Sequence, residues 1–204
     1  MNLSILNNIK NLQWTDYFIY AFTDPRMLYR TISDTSFKCF GLSFTAPILV
    51  CFCDAIALVI LGINSGFFIS FLSYAIVLSI MISLFVNLIY TGIMDFLSQM
   101  MGHAGNAKFT FILINFSLLP KVLILPVAYI FSISGIAPVF FYFLFSAIFS
   151  VWAVINIICG ISEMRSVSGG KSALIYFSPI VICSSVLFFI MLIFMIGLFK
   201  SLGM

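Results

Sequence analysis

From Phe40 to Phe199 apolar residues run in long blocks, broken at intervals by short polar clusters, with no period-two alternation of the kind a half-buried strand requires. Each block is long enough as a helix to cross a hydrocarbon core of about 30 Å. The pattern predicts spans at 40–62, 66–92, 108–132, 138–162 and 172–199. The fold class is therefore all-α, a polytopic membrane protein with a bundle of five transmembrane helices. Helix punctuation agrees: Pro138 falls where a helix should start, and Gly170-Lys171-Ser172 where the last one begins. Pro47, Pro120, Pro126 and Pro179 lie inside spans, where each removes a backbone donor and invites a kink. The third span, with Pro120 and Pro126, should be the most distorted.

Residues 1–38 read differently, as a tail in which Trp14, Tyr17, Tyr20 and Tyr29 are interspersed with Lys10, Arg26, Arg30 and Lys38. Thr23 or Asp24 can cap a helix that has Pro25 at its first position, with Arg26 and Arg30 on one face and Leu28 and Ile32 on another. That predicts an amphipathic helix lying on the membrane surface, ahead of a membrane domain over 39–204. The opening MNLSILNNIKNLQW lacks the apolar core and small-residue site of a cleavable signal, so the first span directs insertion.

Composition sharpens the solvent and excludes some partners. With 63% hydrophobic and 7% charged residues, the chain is built for a lipid bilayer. A net charge of +3, spread thinly, supplies no stripe for nucleic acid. The connections after the first and third spans are free of charge, whereas the others carry Asp95, His103, Lys108, Glu163, Arg165 and Lys171. The positive-inside rule then puts the N-terminus in the cytoplasm and the C-terminus outside. Arg26, Arg30, Lys108, Arg165 and Lys171 become contacts for the cytoplasmic face or for anionic headgroups.

Candidate chemistry is sparse. Cys39, Cys51, Cys53, Cys159 and Cys183 sit in or beside apolar runs and read as structural. Cys51 and Cys53 diverge by about 200° on a helix, a poor pair of metal ligands. SVSGGKS at 166–172 fails as a phosphate loop because Arg165 stands where the first glycine belongs. His103 is a lone imidazole in a loop, and no catalytic or cofactor motif appears, so the expectation is a non-enzyme without cofactor or metal.

Depth along the helices is more informative. Asp54 lies about 14 residues, or about 21 Å, into the first span, and Lys121 about 13 residues, or about 20 Å, into the third. Opposite charges at one level predict an intramembrane pair, the alternative being that Lys121 snorkels along its stem. Asn87, Asn115 and Asn156, joined by Ser178, form a second level about 8–10 Å from the inner ends, read as an inner polar layer that bonds helices together. Gly41 and Ser43 are small enough to admit close helix contact in a homo-oligomer.

Three segments resemble the Yip domain family, five-span proteins named for interaction with Ypt/Rab GTPases: DPRMLYRTI (Asp24 to Ile32), GHAGNAKFTFILINFSLLPKVLILP (Gly102 to Pro126) and VWAVINIICGISEMRSVSGGKSALIYFSP (Val151 to Pro179). The resemblance implies a scaffold, adaptor or membrane-organising factor of the trafficking type, with a protein partner at the cytoplasmic face. The long N-terminal region and D-[LY]-Y-G-P-type motif of the eukaryotic members are absent, which speaks against a GTPase partner and for a prokaryotic, inner-membrane member. The competing expectation is a small transporter or ion-coupled carrier using Asp54 and Lys121.

Overall fold

The computed structural model describes residues 13–33, 37–62, 67–103 and 105–201. Lys10, the connection 63–66 and the end beyond Ser201 lie outside them, as do the side chains of Trp14, Lys38 and Lys200. Among the described residues every regular element is a helix: α1 Gln13–Thr23, α2 Pro25–Ser33, α3 Phe37–Ser43, α4 Thr45–Ile60, α5 Phe67–Met100 and α6 Ala107–Ser117. A 3-10 segment at Leu119–Leu123 follows, then α7 Ile124–Ser134, α8 Pro138–Arg165 and α9 Gly169–Ser201. Five stretches are long and apolar enough to cross a membrane: Cys39–Ile60, Tyr74–Met100, Ala107–Ser134, Pro138–Arg165 and Gly169–Gly197. The chain is an all-helical, multi-pass integral membrane protein whose exposed apolar helices fit contact with lipid.

Two spans outrun their hydropathy. Helix α5 continues to Met100 and α8 to Arg165, so Asp95, Glu163 and Arg165 are helical residues and not loop charges. What ends α5 is backbone geometry. Gly102 takes φ 82°, its N–H donates to Gln99 O at 2.9 Å and that of His103 to Ser98 O at 3.1 Å, the paired bonds of a Schellman turn. Helix α8 closes the same way on Ser166, at φ 50°, with Val167 N donating to Ser162 O at 3.1 Å.

The prolines act as their chemistry dictates. Without an N–H at Pro120, the third span tightens into the 3-10 segment, with Lys121 N bonded to Leu118 O at 2.9 Å. Pro126 and Pro47 then fall in the first turns of α7 and α4, where no intrahelical donor is needed. Pro179 alone interrupts a continuous helix. The carbonyl it frees, on Ile175, accepts from the Ser178 hydroxyl at 2.9 Å, and the Tyr90 phenol of α5 donates to Tyr176 O one residue further on.

Packing centres on the third span, which is buried from Thr110 to Ser117, and α8 lies so close that a Cβ on Gly160 would stand 2.5 Å from Leu113 Cδ1. Helix α9 touches the bundle through Ser172, Ile175 and Pro179, and residues 180–197 are exposed. Tyr17, Ala21, Leu28 and Ile32 of α1 and α2 are buried in the same core as Ile112, Phe116, Ile157 and Ile161. The N-terminal helices therefore do more than lie on a surface. Helix α2 is amphipathic, with Leu28 and Ile32 inward and Arg26 and Arg30 outward, and the Asp24 carboxylate accepts from Arg26 N and Met27 N as its cap. Helix α1, QWTDYFIYAFT, is wedged into the bundle, Tyr17 stacking on Phe116 at 5.5 Å and Phe22 edge-on to Trp152 at 6.3 Å. Ser43 is buried, its hydroxyl donating to Phe40 O at 2.7 Å, so it offers no contact to another copy. Gly41 is exposed.

Candidate functional site

Two charge centres stand in the bundle, at different levels. The first is at the end that carries the charged connections. Asp95 and Arg165, each the product of a helix extended past its apolar run, meet with Nη2 to Oδ1 at 2.9 Å and side chains only 8% and 1% exposed. The carboxylate is well supplied with donors: Asn106 N reaches Oδ1 at 2.8 Å and Gln99 Nε2 reaches Oδ2 at 2.9 Å. Arg165 Nη1 also donates to Ser98 Oγ, while its Nε is buried without a partner. Gly105 lies over this group so closely that a Cβ would come within 2.7 Å of Asp95 Oδ2 and 2.1 Å of Gln99 Nε2. That contact explains the glycine of the GHAGN loop. Arg165 is thus withdrawn from headgroups by the one carboxylate that faces it.

Nearby, Arg30 donates through Nε and Nη2 to Glu163 Oε1 at 2.9 and 2.7 Å, tying α2 to α8. The side chains are 64% and 27% exposed, so this pair is solvent-screened. Glu163 raises the Arg30 pKa, first through the hydrogen bond and then through its charge. Tyr29 is pushed above the usual phenol value by partial burial and secondarily by the Glu163 charge. Arg26, Lys108 and Lys171 are exposed at the same end, Lys108 with its Nζ 5.9 Å from the Phe40 ring centroid.

The four residues expected in one inner layer separate into three interactions. Asn87 Nδ2 donates to Asn115 Oδ1 at 3.0 Å, joining the second and third spans and leaving Asn115 Nδ2 buried without a partner. Asn156 Nδ2 donates to the Ala21 carbonyl at 2.8 Å and so fastens α1, not another span. Ser178 serves the carbonyl beside its own proline. Equal depth gave no information on rotation about each helix axis, and rotation decides the partner.

The second centre lies further along the bundle. Asp54 and Lys121 line one cavity of about 60 Å³ together with Val50, Ile124, Ser146 and Phe149, yet no ion pair joins them. The carboxylate is held instead by Tyr142, whose hydroxyl donates to Oδ1 at 2.5 Å. On the other side Asp54 borders a second cavity of about 200 Å³, between α4 and α5, walled also by Cys51, Ala55, Leu58, Ala75, Ile76 and Ser79. The direct contact expected between Asp54 and Lys121 is therefore replaced by a gap with room for a few waters. Tyr142 is the unforeseen partner; the cue is a phenol in the apolar N-terminal half of α8, where its hydroxyl needs an acceptor.

Among the described residues no three His, Cys, Asp or Glu side chains cluster as metal ligands, and the cysteines are free thiols. Comparison with family models, curated proteins and solved structures gives a short answer: none matches this chain.

Proposed function

We propose that this protein is a non-enzymatic membrane scaffold or adaptor, with its charged end in the cytoplasm of a prokaryotic cell and its partner surface on that end. The reading is supported above all by the way the N-terminal hairpin is built in. Asn156 holds the Ala21 carbonyl, Tyr17 stacks on Phe116, Phe22 packs edge-on to Trp152, and Arg30 pairs with Glu163, so α1 and α2 are fastened to the third span and α8 as one platform. Arg26, Lys108 and Lys171 are displayed on it for a protein or for anionic headgroups. The likeness of these same segments to the Yip domain family belongs to this proposal. Photo-crosslinkers at Arg26 and Lys171 in intact cells test it: a discrete protein adduct is expected, lost when α1 is deleted. Lipid adducts alone would overturn it.

One observation favours a second reading, a small ion-coupled carrier. Asp54 and Lys121 share a cavity without neutralising one another by contact, an arrangement more costly than a closed pair and typical of pathways. Ion flux into vesicles that falls in Asp54→Asn with folding retained would decide for it.

A further inference from the structure

Asp54 is set between two cavities, and the contents of the two walls differ in sign. Toward the 3-10 segment and α8 the small cavity holds the Lys121 ammonium and the Ser146 hydroxyl. Toward α5 the larger one is lined by no cation; its polar wall is Asp54, Ser79 and the Cys51 thiol. The Ser79 hydroxyl proton is already committed to Ile76 O at 2.9 Å, so its lone pairs are what remain for the cavity. Tyr142 occupies Asp54 Oδ1, leaving Oδ2 without a protein donor among the described residues. Oxygen lone pairs and a single negative charge thus converge on a space of about 200 Å³.

We propose that Asp54, Ser79 and water bind one alkali-metal cation in the cavity between α4 and α5, with Lys121 as a competitor for the same carboxylate from the opposite side. Charge selects the ligand. One carboxylate balances one positive charge, whereas a divalent ion calls for more anionic oxygens, and no cluster of the kind that holds transition metals is present among the described residues. Without the ion, Lys121 neutralises Asp54 across the small cavity. With the ion bound, Lys121, which is half-exposed on a flexible four-carbon stem, withdraws its ammonium. Binding of this kind requires no translocation, so the inference goes beyond both readings above, and its failure leaves the adaptor reading, which rests on the other end, untouched.

Cys51 is a reporter in the cavity wall, and Cys53, buried two residues on, faces away. The full chain, carrying Cys51 as its sole cysteine, is labelled in detergent with a charged methanethiosulfonate in sodium chloride, potassium chloride or choline chloride at constant ionic strength. Sodium or potassium should slow labelling severalfold against choline. Asp54→Asn, which keeps an acceptor for Tyr142, should abolish the protection. Lys121→Met should move protection to at least about tenfold lower cation concentration, because a competing charge is gone. A gain in affinity cannot come from misfolding, and cation-dependent thermal stabilisation of the cysteine-intact protein provides a second readout. Labelling that ignores both ions, equal protection in Asp54→Asn, or a Cys51 that resists the reagent in every salt overturns the proposal.

Discussion

The two charge centres use the same chemical parts and reach opposite states. Asp95 and Arg165 are in contact, nearly sealed from solvent, and the carboxylate has a helix side chain, a loop N–H and a guanidinium as donors. Asp54 and Lys121 face each other across a gap, with a lone phenol on the carboxylate. The difference lies in how each pair is delivered. Arg165 and Asp95 stand at ends of rigid helices closed by left-handed turns, and a glycine loop presses on them. Lys121 sits in a 3-10 segment forced by Pro120, beside a cavity that the chain does not fill. A closed pair suits a platform that must hold its shape; an open one suits exchange.

Breaking the closed pair should have the largest effect. Arg165→Met strands a buried carboxylate and should cost about 3–5 kcal/mol, seen as a loss of thermal stability in detergent, with much of it regained in Asp95→Leu/Arg165→Met. Next comes the lid. Gly105→Ala places a methyl against Asp95 and Gln99 and should cost about 1–3 kcal/mol, while a glycine such as Gly92, where a Cβ meets nothing, should accept alanine quietly. Asn156→Leu removes the bond to Ala21 and should loosen α1 by about 1 kcal/mol, detected as faster proteolysis near Thr23 with the spans intact. The open centre should respond least to the loss of its lysine: Lys121→Met should shift stability by less than about 1 kcal/mol, and Tyr142→Phe by about 0.5–1.5 kcal/mol.

Much of the fold was legible in hydropathy alone, because a bilayer demands unbroken apolar lengths and the spans supply them. Their ends were less so. Hydropathy stops at the first charge, whereas α5 stops where Gly102 can turn, and that gap hid Asp95 and Arg165 as bundle residues. Helix α1 escaped notice as a core element because 11 residues are too few to span, and nothing in QWTDYFIYAFT declares that Tyr17 and Ala21 will be buried against another part of the chain. Depth counting brought Asp54 and Lys121 to one level but carried no azimuth or reach, so it could not distinguish contact from a shared cavity. For Asn87 and Asn115 the same arithmetic met a favourable rotation, and for Asn156 it did not.

The contrast between the centres is tested most directly by two double-mutant cycles read in one assay, reversible unfolding of the purified protein in detergent. Asp95→Asn with Arg165→Met should show a coupling of at least about 3 kcal/mol, and Asp54→Asn with Lys121→Met about 1–1.5 kcal/mol, the size that a tenfold competition for the carboxylate implies. Equal couplings, or a larger one at Asp54 and Lys121, would contradict it.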